Sequence, residues 1–242
     1  MKVIDAVWEK RNLGVTCAEI KIEDSDTAEE IRVRLPSEEK QYTVVKIPSR
    51  RSDTLFLMSE MGYTFVETSI RLSHRLKGAE LSGIQKRMSD SVDYSLMDES
   101  DIEELYSEIR AGLFSTDRVF LDPAFAKGLA ANRYIGWISD EINRKTSDIY
   151  KLAYKGNSVG FFTFKEIEPN IYYPFLAGLY ANYRSSGLGI AMVHKPVCEA
   201  KKREGKMIQT YMSTNNKGVI TTHLEAGYFL EELEYIYVKH GK

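Results

Sequence analysis

The segment YRSSGLGIA at residues 183–191 follows an apolar run that reads as a strand and precedes one that reads as a helix. Glycine at 187 and 189 lets backbone amides turn toward one point with no Cβ in the way. A helix N-terminus placed there adds its dipole to three or four aligned N–H groups, which together make a nest for phosphate. The functional reading is a phosphorylated cofactor; the plain reading is a tight strand-to-helix turn. A dinucleotide site of the Rossmann kind is disfavoured, because Met192 stands where that fingerprint places its third glycine and no acid ends the next strand.

Flanking this segment, residues 149–154, a turn at 155–157 and residues 159–165 read as a hairpin, and Pro169 with Asn170 turns the chain into a third run over 171–180. Upstream, Ser100 and Glu103 have capping-box spacing ahead of Ile102, Leu105, Tyr106, Ile109 and Leu113 at helical intervals. A second helix from about Pro123 carries Phe125, Leu129, Ala130, Tyr134, Trp137 and Ile138 on one side. Downstream come a helix over 190–203, a strand over 207–211, a short helix before Gly227 and a final strand to Val238. The pattern is α/β (α+β), with mostly antiparallel strands.

Between His74 and Asp101 the chain is rich in Ser, Gly and charge and poor in aliphatic residues, which predicts a connection between domains. The expected boundary lies near residue 90, giving an N-terminal α/β domain over 1–90 and a second domain over 91–242. The halves echo one another: SEMGYTFVE at 59–67 and LEAGYFLEE at 224–232 each read as a helix closed at Gly-Tyr and followed by a strand. Two related units in tandem explain the echo, and so does chance, since glycine commonly closes helices.

Composition narrows the function. The 242 residues carry 33 Lys+Arg against 35 Asp+Glu, a net charge of −2, so no basic field is available to hold nucleic acid. Cys17 and Cys198 lie in apolar-periodic stretches without CxxC spacing, which points away from a disulfide framework or a metal site and toward a reducing, cytoplasmic compartment. The opening MKVIDAVWEK places charges where a signal peptide needs its apolar run, and no stretch approaches a membrane span.

The order of elements, with the spacing Arg184-x-x-Gly187-x-Gly189, resembles the GCN5-related N-acetyltransferase family over roughly residues 92–240. The later segment Asn216-x6-His223-x3-Gly227-Tyr228 resembles the family's cofactor-side helix. The resemblance implies acetyl-CoA as cosubstrate, its pyrophosphate on the amides of Arg184, Ser185, Ser186, Gly187, Leu188, Gly189 and Ile190. Its pantetheine would lie along the strand edge at Leu179–Ala181, with Asn216 either bonding that arm or capping the short helix. It further implies direct attack of a substrate amine on the thioester, with the N-terminal half closing the acceptor side. His223 stands where the family supplies a tyrosine as acid for the departing thiolate, and Tyr228 is the next candidate. More narrowly, WEKRNLGV at 8–15 and LFSTDRVFLDP at 113–123 resemble TDP-fucosamine acetyltransferases, which act on a nucleotide-linked 4-amino-4,6-dideoxyhexose. Another small-molecule, polyamine or protein amine, and a non-catalytic acetyl-CoA-binding module, are the alternatives; a homodimer is left open.

For the remaining residues, Tyr134 and Trp137 either wall a sugar pocket or, as aromatics at helical spacing usually do, fill the core. Glu166 and Glu168 flank a turn, where solvated hairpin charges are commoner than a general base. His194, two before Pro196, is expected at the surface, and His74 and His240 are assigned to polar ends without a role.

Overall fold

The computed structural model describes residues 1–77 and 81–241. The N-terminal half runs β1 (Lys2–Asp5), α1 (Val7–Leu13), β2 (Cys17–Lys21), α2 (Ala28–Arg34), β3 (Tyr42–Pro48), α3 (Asp53–Glu60) and β4 (Thr64–Arg75). After it come α4 (Gly83–Asp90), β5 (Val92–Leu96), α5 (Glu99–Arg110), α6 (Arg118–Leu121) and α7 (Lys127–Arg144). The chain then forms β6 (Asp148–Tyr154), β7 (Asn157–Glu168), β8 (Ile171–Tyr173), β9 (Ala177–Leu179), α8 (Gly189–Lys202), β10 (Met207–Ser213), α9 (Lys217–Glu225) and β11 (Phe229–His240).

One sheet joins both halves, in the order β1-β2-β3-β11-β4-β10-β8-β7-β6-β5, with β9 beside β7. Its middle is an exchange. β11, the last strand of the chain, pairs antiparallel with β3 on one side and β4 on the other, and β4 pairs antiparallel with β10. The two strands that follow the echoed Gly-Tyr turns thus lie side by side, each seated against the other half. Gly62 and Gly227 both hold left-handed backbone, φ 79° and 89°, which explains why glycine recurs there.

The hairpin reading of 149–165 is matched by β6 and β7, joined through Lys155 and Gly156, both at positive φ. α8 lays Ile190, Val193 and Val197 against Leu152, Phe162, Phe164 and Ile208. A second core, including Ile20, Ile31, Val45, Ile47 and Met58, fills the N-terminal half.

Four details differ from the sequence reading. α5 is capped by Asp98, not Ser100: Asp98 Oδ1 accepts from Asp101 N–H at 3.0 Å and Asp101 Oδ2 accepts from Asp98 N–H at 3.0 Å. The third run over 171–180 breaks at Pro174, which has no N–H for a ladder, into β8 and β9. The seam over 74–101 is largely regular structure, since α4 and β5 fall within it; residues 78–80 of that stretch lie outside the described residues. His194 is half-buried, with Nδ1 2.9 Å from Ser89 Oγ of α4, and α8 runs on through Pro196. Among the described residues, no helix is long and apolar enough to cross a membrane.

Candidate functional site

The site begins where the sheet opens. β8 is bonded in parallel to β10 through Ile171 and Tyr172, opposite Met207 and Ile208, and beyond Pro174 the chain leaves β10. β9 stays on β7 alone, drawn close because neither Gly160 nor Gly178 has a side chain: a Cβ on Gly160 would stand 2.3 Å from Gly178 O. Thr163 N–H donates to Leu176 O at 2.8 Å and Tyr180 N–H donates to Val159 O at 2.9 Å. By the alternation of an antiparallel ladder, Ala177 and Leu179 therefore turn their N–H and C=O groups away from β7, into the gap beside β10.

At the head of the gap, Ala181–Tyr183 makes one tight helical turn and the 183–191 segment follows. Ser185 and Gly187 take positive φ, 63° and 81°. Within the segment, Ser186 Oγ donates to Tyr183 O at 2.6 Å and accepts from Leu188 N–H at 3.3 Å. The N–H groups of Ser185, Gly187, Gly189 and Ile190 find no partner among the described residues. The Arg184 guanidinium is tied elsewhere, donating to Gly112 O and Leu113 O at 3.1 Å, so it fastens the 112–113 loop.

The resulting cleft, about 470 Å³, is bounded by β9, by Ser115 and Thr116, and by the first turns of α9. Of the predicted cofactor residues it gathers Leu179, Arg184, Ser185, Gly189 and Asn216 along its wall. Ala181, Ser186 and Gly187 are exposed beside it, and Leu188 and Ile190 turn into the core. Asn216 stands at the N-cap of α9 without a side-chain capping bond, which leaves its amide free for the cleft.

His223 is placed differently from its predicted role. It does not line the cleft; its ring meets Tyr228 edge-on at 4.8 Å and its Nδ1 is 2.8 Å from Val219 O. Burial pushes the imidazole down to about 4, so it is neutral near pH 7. Tyr228 is buried as well, with its hydroxyl 3.4 Å from Val193 O. His74 lies in β4, buried, with its ring 5.1 Å from that of Tyr228, and His240 Nε2 is 2.8 Å from Asp122 Oδ2. Glu166 Oε1 accepts from Asn170 N–H at 2.7 Å, a turn bond of the kind expected of a hairpin charge.

A second cavity, of about 420 Å³, adjoins the cleft. The walls are continuous: Thr116 of the cleft leads to Asp117 of the cavity, and Ala177 leads back to Leu176. Both halves build it, with Glu67 and Ser69 from β4, Arg118, Arg133, Tyr134 and Trp137 from the helices, and Tyr211 and Ser213 from β10. Tyr134 and Trp137 pack with Phe114 and Arg133, as the core reading expects, and both also line the cavity. Arg118 donates to Glu19 at 2.8 Å and Lys46 to the same carboxylate at 2.7 Å. Burial opposes charge on Glu19, but Arg118 and Lys46 prevail and hold its carboxyl down to about 2. Glu67 has no such partners, and burial moves its carboxyl above the usual range despite nearby Arg118 and Ser213. In sequence Glu67 is marked only as the one acid of β4, a strand that also carries Arg71, His74 and Arg75.

No family model matches this sequence, and no curated protein does. Solved structures do match. A functionally unknown conserved protein from Staphylococcus epidermidis superposes with a TM-score of 0.64 at 13% identity, covering 94% of this chain and 85% of that one. A GCN5-related N-acetyltransferase from Sphaerobacter thermophilus gives 0.58 at 14%, covering 87% and 64%. A tandem protein of that fold from the clavulanic acid biosynthesis pathway gives 0.56 at 9%, covering 93% and 76%. At these identities the likeness concerns architecture, and with the split β8–β9 strand and the glycine turn it shows that this chain has the fold of the GCN5-related N-acetyltransferases.

Proposed function

We propose that the protein is an N-acetyltransferase that uses acetyl-CoA. The observation that carries this reading is the pairing of two unsatisfied backbone surfaces at one cleft: the amides of Ser185 and Gly189 at its head, with those of Gly187 and Ile190 next to them in the chain, and the free edge of β9 along its wall. The first suits a pyrophosphate at a helix N-terminus. The second suits an extended amide-bearing arm, which adds to a strand edge by main-chain hydrogen bonds, with Asn216 across from it. Ala177 N–H would then polarise the thioester carbonyl. The departing sulfur takes its proton from solvent entering past Asn216 and Thr222, since His223 faces away.

The acceptor would enter the adjoining cavity, where residues 1–90 supply one wall and 91–242 hold the cofactor. A small-molecule amine suits its size, and an amino sugar, nucleotide-linked as in the 4-amino-4,6-dideoxyhexoses, is the finer reading, supported by the aromatic and charged lining. Acetyl-CoA should raise the melting temperature, ligand at 100 times its Kd adding about 2.7 kcal/mol. Gly189→Val is the discriminating variant. A Cβ there meets no protein atom within 4 Å and φ is ordinary, so the fold survives while the phosphate approach is obstructed. An unchanged acetyl-CoA shift in that variant refutes the cleft assignment. Thiol release with a panel of TDP- and UDP-linked amino sugars tests the acceptor.

A further inference from the structure

Glu67 is 7% exposed, lines the cavity, and forms no ion pair among the described residues. Its Oε2 is buried without a hydrogen-bond partner. A carboxylate in that state is costly, and the neighbouring acids show how the fold ordinarily avoids the cost: Glu19 holds Arg118 and Lys46, and Glu9 holds Arg133. Because β4 lies between β11 and β10, Glu67 sits opposite Ile236, two positions from Ser69, which is opposite Ser213. That places it in the centre of the sheet, in the cavity whose wall continues through Leu176 into the β9 edge.

We propose that Glu67, a residue of the N-terminal half, is the general base for the acceptor amine. The inference rests on the acetyltransferase reading and adds a substrate class to it, a primary ammonium on a compact ring seated against the wall that Tyr134 and Trp137 form, their rings edge-on at 5.6 Å. The amine arrives as an ammonium and gives one proton to Glu67. Its nitrogen lone pair forms the N–C bond to the acetyl carbon and the C–S bond breaks. The second nitrogen proton passes to solvent as the amide forms, the coenzyme A sulfur takes one proton from solvent, and Glu67 gives up its proton when the products leave, so that one proton is released overall. The raised affinity of the buried Glu67 for a proton favours the first transfer.

Two probes of full-length protein isolate this step: methylamine, protonated near pH 8, and hydroxylamine, already unprotonated there. Glu67→Gln should lower methylamine-dependent thiol release ~10²–10⁴-fold and leave hydroxylamine-dependent release within about tenfold, with the acetyl-CoA thermal shift intact. Glu67→Asp should recover part of the methylamine rate, which a merely structural role would not require. Equal methylamine rates in wild type and Glu67→Gln, or equal losses with both probes, overturn the assignment to Glu67. Absence of the acetyl-CoA shift in the wild type overturns the underlying acetyltransferase reading instead.

Discussion

The Arg133 guanidinium donates from Nε to Glu9 Oε1 at 2.7 Å, with the two side chains 3% and 1% exposed, and so ties α7 of the C-terminal half to α1 of the N-terminal half. Arg133 also lies 4.0 Å from the Trp137 ring centroid, which fixes one wall of the cavity. Breaking one side of a buried pair strands the other charge at a cost of about 3–5 kcal/mol, whereas replacing both by apolar residues is often neutral. Glu9→Gln should therefore lower the denaturant midpoint strongly, and Glu9→Leu with Arg133→Met should recover most of it. A single variant as stable as wild type would mean the pair does not hold the halves together.

Gly160→Ala tests the geometry of the cleft from outside it. Its Cβ would lie 2.3 Å from a backbone oxygen that no side-chain motion can relieve, so β9 must shift. Overpacking of this kind costs about 1–3 kcal/mol. The expected outcome is a lower melting temperature together with loss of the acetyl-CoA shift, read by calorimetry with and without ligand. Retained binding at wild-type affinity would separate β9 from the cofactor.

Local signals carried the C-terminal half. Apolar period located the helices and the hairpin, and the glycines at 187 and 189 located the cleft's head, because both are properties of near neighbours in the chain. The Asp98 cap was hidden by a competing Ser100–Glu103 pair with the same spacing. Which face of α9 meets the cleft depends on tertiary packing, so a motif position favoured His223 while the helix turned it toward Tyr228. The exchange of β4 and β11 leaves no mark in periodicity, since an amphipathic strand reads alike whichever strand it pairs with. Glu67 was hidden for that reason: its role follows from the partner strand.

His223 yields a pH prediction. Its folded pKa, about 4, lies below the reference 6.5 because burial disfavours the imidazolium. The unfolded chain therefore binds the extra proton first as pH falls, and stability is lost from about pH 6.5 down to about 4, by up to ~3 kcal/mol from this group. Above pH 6.5 the group gives no pH dependence. His223→Phe should remove this group's share of the slope, leaving the share of His194, which burial also holds at about 4, and of His74, which burial lowers, and should keep acetyl-CoA turnover near wild type at pH 7.5. A fall of 10²-fold or more in turnover by a well-folded Phe variant would instead return His223 to the chemistry.

The strand exchange makes the halves interdependent. A fragment beginning at Ser91 lacks β4, the only strand between β10 and β11 in the described sheet, and with it the buried Ile70 and Leu72 of the core shared with α8. Both exposed edges would then present unpaired N–H and C=O groups to other chains. The fragment is expected to aggregate or melt without cooperativity, and the complementary 1–90 fragment, deprived of β11, to do the same. Mixing them supplies each missing strand, so co-expression should restore one cooperative transition and the acetyl-CoA shift together, measured by calorimetry on the purified complex. Cooperative unfolding with acetyl-CoA binding by the 91–242 fragment alone would show that the exchanged strands are dispensable to the cleft, and that the connection near residue 90 separates independently stable units.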